Sequence, residues 1–341
     1  MNQPKHFVGI DIAADSFVVA IFTAPEQPIP TSDIFSNSPE GFSNLQQWLK
    51  KHSCDDTTSI ICMESTGVYS EQLCYFLYSR GYQIAVEPPL KVKRAFSQSP
   101  RKTDIIDSRQ IAEYAYRFYD ELYRWKPNDQ IVEQIKVLLA TREQFTKQLT
   151  ANSNALQAIQ RKYIQTPVAN DMYQRAIEEL KEKIKIIDKE IKKLINNHPT
   201  IRPMTALLMT IPGVGMLLAS NITIITTGFT RPLNAKQFAA YIGVCPNEHQ
   251  SGSSVYRRPR SAGYGPIRFR KLIRLAALSL RTHNELFKRY FLRKIAEGKS
   301  GRLVINNIAN KLIRIICAVI KSRTPFINNY RSVNPMLLKT A

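Results

Sequence analysis

From Ile131 to Leu194 the apolar residues return at alternating intervals of four and three. Ile131, Ile135, Leu138, Arg142, Phe145, Leu149, Asn152, Leu156, Ile159 and Tyr163 make a first stripe whose seam is interrupted by polar residues. After Gln165-Thr166-Pro167 a cleaner one follows, through Tyr173, Ile177, Leu180, Ile184, Ile187, Ile191 and Leu194. Sustained heptads predict a coiled coil, either folded back on itself at Pro167 or paired with another subunit. So long a helical segment divides the chain. The reading is a first domain at 1–127, a coiled-coil linker and dimerisation region at 128–200, a helical basic domain at 201–330 and a tail at 331–341.

The segment before the coiled coil alternates strand and helix. FVGIDIAADSFVVAIF, Phe7 to Phe22, reads as two adjacent strands, TSIICMES as a buried strand, and YQIAVEP as another. Helices are expected at about 39–51, 69–79 and 104–119, the last with Thr103 as N-cap. The fold class is α/β in this part, with a central sheet, and all-α beyond it.

The segment after the coiled coil is helical and basic. Helices are expected at about 266–282, 284–297 and 301–321, with a polar loop from about 247 to 265. Charge is split along the chain: residues 1–100 carry seven Lys/Arg against ten Asp/Glu, residues 251–323 eighteen against two. The total of +21 calls for a polyanionic partner, because Lys and Arg facing phosphates release condensed counterions. No charge interrupts residues 203–230, long enough to span a bilayer, but Pro212-Gly213-Val214-Gly215 cuts the run into two short helices. A buried helix-turn-helix is the reading, with no membrane. Five cysteines without a C-x-x-C pair fit a reducing cytoplasm, and no signal core opens the chain.

Four carboxylates carry the chemistry. Asp11 ends a strand in G-I-D-I-A and Glu64 another in C-M-E-S-T-G, while Asp104 and Asp107 share one helix face in K-T-D-I-I-D. Each alone has a bland explanation as a cap or turn residue. Converging at a sheet edge they form an oxygen-rich set suited to Mg²⁺.

These motifs, with T-I-P-G-V-G, K-Q-F-A-A-Y-I-G-V-C-P and H-Q-S-G-S-S, resemble the insertion-sequence 110/1111 family of transposases. The resemblance implies a RuvC/RNase H-like N-terminal domain with a DEDD acid set at Asp11, Glu64, Asp104 and Asp107, and a C-terminal transposase domain whose nucleophile is Ser251. The chain departs from the pattern at Glu87-Pro88-Pro89, where the family tends to have Asn-Pro. The resemblance further implies a nucleoid-associated recombinase guided by a structured non-coding RNA to donor and target DNA. Its active sites would be composite, in a homodimer or homotetramer.

A serine hydroxyl attacks a phosphodiester only if it is activated, and the metal set is a better activator than His249. Ser253 and Ser254 stand as alternative nucleophiles. Arg257, Arg258, Arg260, Arg268, Arg270, Lys271 and Arg274 are expected to hold nucleic-acid backbone. Two other functions fit the residues: a nuclease or Holliday-junction resolvase in which water attacks, and a non-catalytic nucleic-acid scaffold.

Overall fold

A computed structural model describes residues 4–23, 31–65, 67–96, 103–231, 234–251, 255–261 and 265–328, without the side chains of 246–251 and 255–261. The tail at 331–341 lies outside the described residues. The chain forms two compact units, Met1–Pro127 and Asn128–Ala341.

In the first unit the β-branched runs become β1 (His6–Ile12), β2 (Ser16–Thr23) and β3 (Thr31–Ser36). Then follow α1 (Pro39–Lys51), β4 (Ser59–Glu64), α2 (Glu71–Tyr78), β5 (Gln83–Glu87), α3 (Pro89–Ala95) and α4 (Asp104–Arg117). The sheet order is β3-β2-β1-β4-β5. β1, β2 and β3 are antiparallel neighbours, and β4 and β5 continue the sheet in parallel from β1. The expectation of an α/β layer with a central sheet is met. β1, β2, β4 and β5 are buried on both faces, so their odd and even residues enter different cores. Val8, Ile10, Ile61 and Met63 pack with Leu45, Leu49, Leu73 and Leu77, while Phe7, Ile60, Cys62 and Ala85 pack with Ile111, Tyr114 and Ala115 of α4. β3 and α3 were not expected. TSDIFS lacks a buried apolar stripe because it is an edge strand, with Ile34 59% exposed.

The second unit opens with α5 (Gln130–Gln160) and α6 (Pro167–Asn197). Of the two coiled-coil arrangements, the fold-back is observed: Ile135 and Leu139 share a core with Ile187, Ile191 and Ile195, and Arg142 donates from Nε and Nη2 to the two Asp188 oxygens at 2.6 and 3.0 Å. Pro167 starts α6, where its missing N–H costs nothing. On α5 the buried residues are Val132 and Leu139 where the heptad pattern named Ile131 and Leu138. The shift arises because α5 also packs against a later helix, so its buried stripe is wider than a two-helix seam.

That helix is α8 (Met216–Ile225), preceded by α7 (Ile201–Met209) across the Pro-Gly turn, where Gly213 has φ 80°. Then come α9 (Ala235–Ile242), β6 (Pro246–Ser251), β7 (Val255–Ser261), α10 (Ile267–His283), α11 (Glu285–Ala296) and α12 (Gly301–Ser322). Among the described residues α12 alone is long and apolar enough to cross a bilayer. It instead supplies Ile308, Leu312, Ile313 and Ile316 to the helical core, beside Ile222, Phe269 and Ala277. The polar loop expected at 247–265 is a β-hairpin over much of its length. Pro246 pairs with Ser261 and Ser251 with Val255, because Val255-Tyr256 opens a β-prone stretch that the Ser, Gly and Pro content had masked. Gly265 turns the chain back into α10 at φ 89°, so close to the Tyr241 carbonyl that no side chain would fit.

Candidate active site

The acids of the first unit are placed by strand register. β1 and β4 run parallel with Ile10 opposite Met63, so Asp11 and Glu64 come next, side by side at the C-terminal ends of strands about 4.8 Å apart. β4 and β5 align Glu64 with Glu87. Alternation puts Phe7, Gly9 and Asp11 on one sheet face, the face that α4 covers. A Cβ on Gly9 would overlap the Ser108 carbonyl and the Ala112 amide, so only glycine lets α4 lie this close. Phe7 meets Tyr116 at 5.3 Å between ring centroids. Residue 7 near 116 and residue 9 near 108 and 112 mean that α4 runs against β1. Its first turn, carrying Asp104 and Asp107, therefore lies toward the strand end that bears Asp11. Thr103 caps that turn, accepting from the Ile106 N–H at 3.3 Å. Asp11, Glu64 and Asp107 are half-buried and Asp104 is exposed.

Among the described residues no three His, Cys, Asp or Glu side chains stand close enough to hold one ion. The backbone brings the four acids to one end of one face without closing them into a cage. Mg²⁺ is commonly held by one or two carboxylates, with water and substrate phosphate filling the octahedron, and a pair of hard oxygen donors on adjacent strand ends fits that demand.

A fifth acid escaped the sequence reading. Glu87 is 3% exposed, accepts from the Tyr123 N–H at 3.4 Å and pairs with Lys91 Nζ at 3.1 Å. Lys91, half-exposed on α3, also lies 5.8 Å from the Tyr114 ring centroid. The available signal was the i,i+4 spacing of Glu87 and Lys91 at the point where the chain leaves the Asn-Pro pattern. On β4 Cys62 is buried, and burial pushes its thiol far up, with Glu87 and Glu64 adding to the effect.

In the second unit Ser251 is the last residue of β6, and His249 faces Arg257 across the hairpin register. The side chains of Ser251, Arg257, Arg258 and Arg260 lie outside what is described, as do Gly252, Ser253 and Ser254 altogether. On α10, Lys271 and Arg274 are exposed and Arg270 is half-buried. Arg268 differs from them. It is paired with Glu143 of α5 at 3.6 Å, and burial, opposed by Glu143, lowers its pKa.

The chain matches two family models: a DEDD transposase model of the IS110 group over residues 8–164, and the transposase model of the IS116/IS110/IS902 family over residues 205–292. It is 27% identical over 326 residues to a pilin gene-inverting protein of Moraxella lacunata, covering 94% of this chain and 98% of the relative. The Moraxella bovis protein of the same name gives the same identity and coverage. Among solved structures, Thermus thermophilus RuvC in complex with a Holliday-junction substrate is similar over 35% of this chain and 100% of that one, at 10% identity and a TM-score of 0.28.

Proposed function

The chain belongs to the IS116/IS110/IS902 family of transposases and is a DNA recombinase, and from that premise we propose that Ser251 cuts and rejoins DNA with the help of the acids of the first unit. The observation that carries the reading is the placement of Asp11 and Glu64 at the ends of adjacent parallel strands, with the acid-bearing first turn of α4 laid over the same face.

In this reading Asp11 and Glu64 would hold Mg²⁺, while Asp104 and Asp107 would orient water and substrate at the same edge. When bound, the ion neutralises phosphate charge and polarises the attacking and leaving oxygens. The Ser251 oxygen loses its proton and attacks phosphorus. An ester forms between serine and the strand, and a DNA hydroxyl leaves with a proton. In rejoining, a hydroxyl of the incoming strand attacks the same phosphorus and serine departs. Phosphodiester bonds are exchanged one for one, so no nucleotide is hydrolysed. Exposed Lys271 and Arg274 contribute backbone affinity, which is independent of sequence. Site selection would then fall to base pairing with a structured RNA. Self-association is supported by the tip of the α5/α6 hairpin, where Tyr163, Ile164, Val168 and Met172 are exposed.

Incubation with DNA ends of the element, followed by denaturation, tests the proposal. A covalent protein–DNA adduct is expected, absent in Ser251→Ala and in Asp11→Asn. Cleavage by Ser251→Ala with release of free ends would overturn it in favour of attack by water.

A further inference from the structure

The first unit holds a cavity beside the acid-bearing strand ends. It measures about 660 Å³, within the ~300–1,000 Å³ range usual for small-molecule sites. The turn after Asp11 contributes Ala14, and the segment after Glu64 contributes Val68 and Tyr69, so the cavity borders the strand ends that bear the two acids. α2 supplies Glu71, Gln72 and Tyr75, and Asn37 closes the wall. Asn37 Nδ2 donates to the Ala13 carbonyl at 2.9 Å and the Tyr69 carbonyl at 3.2 Å, tying the two loops together. Tyr75 is fixed edge-on against Trp125, with ring centroids 5.3 Å apart.

The lining says what would enter. Among the described residues no Lys or Arg lines the cavity, and the Glu71 carboxylate repels anions, so this lining does not suit phosphate. Tyr69, 48% exposed, and Tyr75, 40% exposed, offer ring surface. Glu71 is an acceptor for exocyclic amino groups, and Gln72 offers a donor and an acceptor. Rings flanked by amide and carboxylate groups suit a nucleobase turned out of its stack, which is how proteins hold unpaired bases. We infer that this cavity receives the base next to the scissile phosphate, unstacked when the DNA backbone lies along the acid edge. The inference rests on the reading that DNA is cut at that edge.

Tyr69 stacks on the base, Tyr75 backs it, and Glu71 favours bases that carry an amino group. Holding the base outside the duplex lets the phosphate beside it approach Asp11 and Glu64 without the neighbouring stack.

Two experiments on the full-length protein test this. In the first, abasic nucleotides are placed one at a time around the cut. At one position the abasic site is expected to slow the wild type about tenfold, as does Tyr69→Ala on intact DNA. Combined, they should slow it no further. Tyr69→Phe, which keeps the ring, keeps the sensitivity to the abasic site. Tyr69 is exposed, so unchanged melting temperatures are expected, and Gln72→Ala provides a second probe. In the second, 5-iodocytosine, which carries the exocyclic amino group, is scanned through the same positions and cross-linked to the cleavage-deficient Asp11→Asn protein. Adducts should map to Tyr69 or Tyr75 and disappear in Tyr69→Ala.

Additive effects of the abasic site and Tyr69→Ala, or cross-links that avoid these tyrosines, would overturn the inference while leaving the acid-edge reading intact. Cross-links at Tyr69 with an Asp11→Asn protein that still cuts would instead remove the reading on which the inference rests. Cross-linking to RNA alone would assign the cavity to a different occupant and also overturn it.

Discussion

In the first unit Asp11 and Glu64 are fixed by the register of a two-faced sheet and Asp104 and Asp107 by the helix packed on it, whereas in the second the candidates sit on a hairpin and on the surface of a helix. A slip of one residue in β1 would turn Asp11 from the face under α4 to the face that packs Ile10 and Met63. No comparable slip exists for Lys271 or Arg274, whose charges act through a shared field. The difference teaches how each unit should respond to change: geometry fails all at once, and charge fails by increments.

The sharpest way to break the comparison is Gly9→Val. It would drive side-chain atoms into the backbone of α4 at Ser108 and Ala112, and a loss of about 3 kcal/mol in the first unit is expected. Chemical denaturation would then show an early transition, with DNA binding by the basic unit retained. If Gly9→Val melts like the wild type, register does not hold the acids where described.

Next in size is Lys91→Ala, which strands the buried Glu87 without its cation. Lys91 itself is half-exposed, so about 2 kcal/mol is expected rather than the full cost of a broken buried pair. Glu87→Gln in the same chain should restore most of it, and equal instability of both proteins would remove the pair from the account.

The basic unit gives smaller, graded effects. Lys271→Ala and Arg274→Ala should each lower the slope of log affinity against log salt by about one, measured by DNA titration at several salt concentrations. Arg268→Ala should leave that slope nearly unchanged and loosen the contact of α10 with α5, because its guanidinium is already engaged by Glu143. A full unit of slope lost at Arg268 would return it to the phosphate-facing set.

Smallest is a pH effect in the first unit. Hydrogen bonds from Thr57 and Thr58 lower the Asp55 carboxyl to about 2. A depressed carboxylate contributes stability above its unfolded value, about 3.9, and loses it as pH falls toward 2. Asp55→Asn should flatten the denaturation midpoint across that window; an unchanged acid limb would contradict the assignment. Throughout these tests burial gives a reporter, since it pushes the thiols of Cys54 and Cys74 up to about 12 and that of Cys317 up to about 11. Alkylation of the folded chain should spare all three, and labelling them during denaturation reads each unit separately.

Much of this was legible in the sequence because it lay in periodicity. Apolar runs announced β1, β2, β4 and β5, and the i,i+3 spacing put Asp104 and Asp107 on one turn. What escaped had a weak or masked local signal. β3 is an exposed edge without an apolar stripe, and the hairpin β6–β7 hid behind Ser, Gly and Pro. Glu87, inside the strand read at YQIAVEP, stood out only as a departure from the family pattern until strand pairing set it opposite Glu64. The cavity beside the acids depends on Asn37 joining loops that are distant in sequence. Fold-back of the coiled coil needed tertiary packing to be distinguished from pairing between subunits.

The central claim is that the acids of one unit and the serine of the other serve a single exchange of phosphodiester bonds. Its most direct measurement is the yield of denaturation-resistant protein–DNA adduct from wild type, Ser251→Ala, Asp11→Asn and an equimolar mixture of the two variants. The account predicts adduct with wild type, none with either variant alone, and recovery in the mixture if subunits share sites. Strand cleavage by Ser251→Ala alone, with no adduct in any sample, would contradict it.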